Sequence, residues 1–412
     1  MGASKREGER RAFLNRRIVQ RIASSVSGMG PRQKALSLLM ITLLIYGPAI
    51  AYYLSDPSIH YDFDIYRSRT QTIIDGGCLY RDVHTETPPL INYIMVPAQL
   101  LGGDESAYVW GVYEAMFALL LAVMLYLAFR RFDEMKAFGM GVLTVLSPYL
   151  IIESATGEDA AIVAFVFFLG AVLIVLDKRY AALAIAFGIW TKMWAVLMLP
   201  VEFLRARGFR NKTQVVLLVA IVTAVITAPF MLLCADGFLE FISFYFLGDP
   251  SRPSGGRSVW NFLHDGGYGL PAIVELALVL GSLLIAYLYS YRKGWGPWRS
   301  MTLAMIVFIV FYPKMHIGYY VMPFVFLSAW AVCDWKIAAR LFLAYIPITY
   351  SGGFASDNPD PIVATADGGW LIGLLLVLVA LVLICDATRL AFRSQTFLEI
   401  TKPSGGQNFS NH

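Results

Sequence analysis

A succession of apolar runs constrains this chain more than any other feature. They lie at about residues 35–54, 106–128, 137–153, 160–176, 180–204, 213–235, 271–291, 300–312, 317–333, 338–350 and 370–388. A helix satisfies every backbone polar group within its own segment, so runs of this kind cross ~30 Å of hydrocarbon as helices. The chain is 58% hydrophobic and only 15% charged, with a mean hydropathy of +0.61. These values describe an all-α polytopic membrane protein and exclude a soluble multidomain enzyme or a nucleic-acid binder. Several runs are shorter than the ~20 residues a straight span prefers, which predicts tilted or broken spans.

Charge sets the orientation. Residues 1–34 carry nine Lys or Arg against two acids, and the first apolar run follows at once. That run is too long for a signal-peptide core and lacks a small-residue cleavage site, so it reads as a retained anchor behind a basic cytoplasmic arm. The arm also suits contact with anionic headgroups of membrane lipid. The run 180–204 decides the topology, because Lys178 and Arg179 precede it and Arg205, Arg207, Arg210 and Lys212 follow it. As one span it would place a basic cluster outside and invert every later loop. As two half-helices meeting around Lys192 it returns to its own side, and most of the 33 Lys and Arg then lie inside. The prediction is about ten full spans plus one broken hairpin, both termini cytoplasmic. Interrupted backbone at membrane depth is tolerated only beside protein or an aqueous cavity, which makes Lys192 a cavity residue.

The outer face collects residues 55–105, 153–159, 236–270, 313–316 and 351–369. The stretch YDFDIYRSRTQTIIDGGCLYRDVHTETPPL, residues 61–90, concentrates polarity beside the first span. Within it, residues 63–74 are expected to form an interfacial helix, Pro88-Pro89 to stop whatever precedes them, and a second helix to lie along 90–101. Cys78, Cys234, Cys333 and Cys385 show no CxxC spacing, so neither a metal site nor a disulfide framework follows, although Cys78 and Cys234 share the outer side. Acceptor motifs at Asn211 and Asn408 fall on the inner side. No internal repeat is evident.

Asp62 and Asp64 stand two residues apart. On a helix they diverge by about 200°; on an extended chain they share a face. A carboxylate at a membrane boundary suits a general base acting on a sugar hydroxyl, and it equally suits a helix N-cap.

The stretch 61–90 resembles the first outer loop of GT-C superfamily glycosyltransferases, polytopic enzymes that use polyprenyl-phosphate-linked sugars. Those close to the polyprenol-phosphate-mannose-dependent mannosyltransferases show Asp, an apolar residue, any residue, an apolar residue and Tyr, then Gly and Tyr downstream. Here these are Asp62-Phe63-Asp64-Ile65-Tyr66, Gly76, Gly77 and Tyr80. The segment 88–103 is similar to their second juxtamembrane helix. TGEDAAIVAFVFFL resembles the second acidic motif, with Glu158 and Asp159 facing the first loop. FGIWTKMWAVLMLP resembles the Lys-containing segment before a Pro, with Lys192 at the matching position. FYPKMHIGYYVMPF resembles the Lys and Gln-Tyr segment, with Gly318 where Gln is expected. The likeness covers roughly residues 35–330.

The resemblance implies an inverting transferase that moves one sugar, mannose first among the candidates, from a polyprenyl phosphate to a glycolipid or glycan acceptor. Asp62 would be the catalytic base, with Asp64 as the fallback. A leaving phosphate gains charge as the glycosidic bond breaks, so the donor-phosphate cations are sought among Lys192, Arg252, Arg257, Lys314 and His316. Acceptor or sugar contacts are sought among Tyr66, Arg67, Tyr80, His84, Glu86, Glu158, Asp159, Trp260, Tyr319 and Tyr320. For Arg252 and Arg257 a solvated loop is the alternative, for Glu158 and Asp159 a helix cap, for the aromatics an interfacial belt. His84 and Glu86 lack metal-ligand spacing, so no tightly bound cofactor or metal is expected, with a divalent cation possible. Residues 1–34 would be the arm, 35–390 a single transmembrane GT-C-like domain with catalytic loop 55–105, and 391–412 a disordered cytoplasmic tail. The site would face the non-cytoplasmic side of a prokaryotic cell membrane, or of the endoplasmic reticulum in a eukaryote. The competing classes are a lipid-linked glycan transporter or flippase, in which broken helices line a pathway, and a glycan polymerase or ligase.

Overall fold

The computed structural model describes residues 24, 26–55, 63–247, 255–356 and 368–399. Among them are 17 α-helices. In chain order these are α1 (Pro31–Tyr53), α2 (Phe63–Ile74), α3 (Pro89–Ala98), α4 (Ala107–Phe129), α5 (Glu134–Val145), α6 (Pro148–Thr156), α7 (Ala160–Val175), α8 (Ala181–Thr191) and α9 (Leu199–Arg205). They continue with α10 (Gly208–Leu233), α11 (Ala235–Leu247), α12 (Val259–Asp265), α13 (Ala272–Arg292), α14 (Pro297–Phe311), α15 (Val321–Ala331), α16 (Trp335–Ser351) and α17 (Gly369–Ala391). Local chemistry sets many of the boundaries. Pro occupies the first turn of α1, α3, α6 and α14, where its missing N–H costs nothing. The Asp133 and Asp334 side chains cap α5 and α16 by accepting from Lys136 N and Lys336 N.

Helices α1, α4, α10, α13 and α17 are long and apolar enough to cross a membrane, six spans in all if α5 and α6, bent by 44°, count as one. The remaining apolar runs give shorter helices, such as α7 with 16 residues and α14 with 15. The segments beyond them unwind into turns at 157–159 and 312–320. Lipid tails are as apolar as the side chains, so close packing and polar contacts hold such helices together. Gly111 shows it: a Cβ there would lie 3.1 Å from Ser154 O and 3.1 Å from Ile50, tighter than ordinary contact, so the missing side chain lets α4 approach α1 and α6 closely. Phe168, Phe326 and Trp298 form the aromatic centre of the core, with the Phe168 and Phe326 rings 4.8 Å apart.

The broken hairpin expected at 180–204 is present. α8 ends at Thr191, Lys192 is extended (φ −156, ψ 125), and a 3-10 turn, Met193–Met198, leads into α9. Arg205 at the end of α9 forms an ion pair with Asp177 just before α8, so the excursion returns to the end it left. The segment that follows α1 likewise contains two helices, α2 and α3, tied by Gln99 Nε2 donating to Gln71 Oε1 at 3.1 Å. All four cysteines are free; the Cys234 thiol donates to Leu79 O at 3.0 Å. At the other end of the bundle Lys34, 1% exposed, pairs with Glu134 at 2.9 Å. The tail predicted to be free from residue 391 stays packed as far as Glu399: Phe397 and Leu398 are buried, and Ser394 O accepts from Arg299 and Trp330.

Candidate active site

A cavity of about 400 Å³ opens where α2, the loop before α3, the α6–α7 turn, the break at Lys192 and the segment 312–319 converge. Each lining group has a local reason for its place. Gly157 closes α6 in the left-handed conformation (φ 71), the conformation most tolerant of glycine, and the chain turns so that Glu158 and Asp159 face the cavity. Asp159 is the N-terminal flank of α7, yet its side chain makes no capping bond. Glu114, deep in α4, supplies that bond instead, its Oε2 accepting from Ala161 N at 3.0 Å.

Freed from capping, Asp159 anchors a buried polar network. Its Oδ2 accepts from Tyr66 Oη at 2.6 Å and from Lys192 Nζ at 2.9 Å. The Lys192 ammonium also lies 5.3 Å from the centre of the Tyr319 ring. Burial alone would raise the Asp159 pKa, but the Lys192 charge, the two hydrogen bonds and His316 outweigh it and hold the carboxyl below its ordinary value. Burial and the adjoining Asp159 charge push the Tyr66 phenol well above its own. At neutral pH Asp159 is therefore a carboxylate and Tyr66 a neutral phenol.

A second cluster adjoins it. His316 Nδ1 lies 3.4 Å from Glu158 Oε2 and 3.6 Å from Glu153 Oε2. Ligand atoms of these three residues all fall within 4.8 Å of one another, a set able to hold a divalent cation. A two-residue parallel pairing places His316: Gly255 pairs with Lys314 and Gly256 with Met315. Gly256 has φ +65, and a Cβ there would lie 2.4 Å from Met315 O, so the clasp requires glycine.

The candidates read from sequence divide clearly. Tyr66, Glu86, Glu158, Asp159, Lys192, Lys314, His316 and Tyr319 line the cavity. Asp64 and Arg67 are exposed on α2 and do not line it. Tyr80, with φ 73, donates to Thr87 O at 2.8 Å and packs among Phe230, Phe238 and Phe241, so it braces the loop. His84 sits 3.3 Å from Glu86 on the exposed rim. Trp260 spends its indole N–H on Phe311 O at 2.7 Å. Tyr320 stacks on Tyr149 and donates to Arg257 O, and the Arg257 guanidinium lies against Gly352; neither residue lines the cavity. Asp62 and Arg252 lie outside the described residues. Arg69, Thr87, Glu114 and Glu153 were not singled out. Glu114 carried a usable signal, an acid inside an apolar run.

Gly318 stands where the family pattern has Gln. A Cβ at this position would lie 2.4 Å from Glu153 Oε2 and 3.0 Å from Ala160 Cβ. The Glu153 carboxylate occupies the space a longer residue would take.

Fold and site together define a polytopic all-α membrane protein with a GT-C-like fold, its polar chemistry gathered at one end. Among solved structures the chain is similar to ArnT from Cupriavidus metallidurans in the apo state, with a TM-score of 0.50, 15% identity, and coverage of 86% of this chain and 76% of that one. No known protein family matches the sequence, and no curated protein does.

Proposed function

We propose that this protein is an inverting glycosyltransferase that moves one sugar, mannose by the resemblance of its loops, from a polyprenyl phosphate to a glycolipid or glycan acceptor at the non-cytoplasmic face. The carrying observation is the single cavity in which Glu86, Glu158 and Asp159 meet Arg69, Lys192, Lys314 and His316 at one end of a largely apolar bundle. Acids suit sugar hydroxyls, and cations suit a phosphate that gains charge on leaving. The similarity of its fold to that of ArnT supports the same reading.

Asp62, which directly precedes α2, is the proposed general base: it takes the acceptor proton as the hydroxyl attacks the anomeric carbon in line with the departing phosphate. Asp159 keeps Tyr66 and Lys192 in register. Glu153, Glu158 and His316 offer a divalent cation three ligand atoms if the reaction uses one. The test incubates the purified protein with labelled polyprenyl-phosphate sugars. Transfer or donor hydrolysis, strongest with mannose and lost in Asp62→Asn, is the expected result. No turnover with any donor would turn the reading toward transport.

A further inference from the structure

The cavity's cations are not equally placed to receive an anion. Lys192 is held by Asp159, and His316 lies between Glu153 and Glu158. Arg69 differs. Its side chain is 6% exposed, its guanidinium carbon lies 5.5 Å from the centre of the Tyr66 ring, and its Nη1 donates to Thr87 Oγ1 at 3.3 Å. Its Nε is buried without a partner, and it pairs with none of the described carboxylates. Among the described residues this buried guanidinium meets a hydroxyl and a ring, contacts that return less than the solvation it loses, so its surroundings suit an anion that arrives with a ligand.

Thr87 sharpens the inference. Its oxygen accepts from Arg69 and also from Asn92 Nδ2 at 3.2 Å, and Asn92 is itself fixed by donating to Pro88 O at 3.2 Å. With both lone pairs engaged, the Thr87 O–H is left to donate toward the cavity it lines. Arg69 and Thr87 therefore present donors only. An apolar side chain borders the same cavity: Ile65, one turn before Arg69 on α2, lines it and is 47% exposed. An anion carried on an apolar tail fits this combination.

We propose that Arg69, assisted by Thr87, binds the phosphoryl group of a membrane-borne lipid phosphate, the role that sequence resemblance gives to Lys192. This rests on the donor class proposed above. The test is thermal unfolding of the full chain in detergent with a polyprenyl phosphate, a polyprenol of equal length, or inorganic phosphate. The polyprenyl phosphate should raise the melting temperature and the polyprenol should not. Arg69→Gln should unfold no lower than wild type without ligand, because it removes a buried unpaired charge, and should need about ten- to a hundredfold more polyprenyl phosphate for the same shift. A wild-type titration in Arg69→Gln would overturn the proposal. If Arg69→Gln does not fold, Arg69→Lys takes its place, and wild-type affinity there overturns it equally. An Arg69-dependent shift with inorganic phosphate but none with the polyprenyl phosphate would keep the phosphoryl site and sink the lipid-linked donor. No shift in wild type with either phosphate would sink both.

Discussion

Lys192 and Asp159 form a buried ion pair at 2.9 Å across 33 residues of chain, their side chains 9% and 12% exposed. The pair holds the tip of the broken hairpin against the start of α7. Tyr66 enters from α2 on the same carboxylate oxygen, so three separate segments meet at one atom.

Removing one partner strands the other charge in a poorly solvated place. Lys192→Met should cost about 3–5 kcal/mol of stability. Asp159→Asn in the same chain should recover much of that loss. The double-mutant cycle, followed by denaturant or thermal melts, checks it; additive effects would mean that the two residues do not interact.

The same pair fixes a pH dependence. Asp159 has a folded pKa below its unfolded value, so the stabilisation it confers is complete above about pH 4, the unfolded value. It is lost as the pH falls through the folded pKa. Tyr66 shifts the opposite way: its contribution is complete below about pH 10 and fades as the pH rises above it. Melting temperature against pH should show the gap between wild type and Asp159→Asn constant at neutral pH and closing below about pH 4. A gap that widened in acid would contradict the assignment.

Much of this architecture could be read from the chain because its signals are local or collective. The helix at 63–74 and the return at Lys192 follow from propensity and charge flanks, whereas Pro88-Pro89, read as a stop, instead opens α3. Lys192 was legible because a charge inside an apolar run needs shelter. Arg69 was not: it stands among Arg67, Asp75, Arg81 and Asp82, and nothing in the sequence says that it alone of these three arginines is buried. Its burial follows from the face of α2 that packs inward. The cap of α7 was equally hidden, since Asp159 occupies the expected position while the bond comes from Glu114, 47 residues away.

Glu114 accordingly makes a demand of its own. Glu114→Ala should lose about 1–2 kcal/mol with the cap and reduce transfer further by loosening the turn that carries Asp159. Glu114→Gln keeps an acceptor for Ala161 N and should retain most of the stability. Parallel melts and transfer rates check this; equal damage from both variants would shift the role from hydrogen bonding to charge.

Gly318 tests whether the departure from the family pattern is structural. The Glu153 carboxylate fills the space beside it, with Oε2 2.4 Å from where a Cβ would stand. Glu153 is 2% exposed, so it has little room to retreat. Gly318→Ala should therefore cost about 1–3 kcal/mol, the range of overpacked sites. Shortening the neighbour by Glu153→Ala should absorb most of that cost, and Gly318→Gln should become tolerable only in that background. Thermal melts of the two singles and the double measure the coupling. If Gly318→Ala is silent in the wild-type background, Glu153 does not hold this space, and the cluster with His316 and Glu158 is looser than the structure has it.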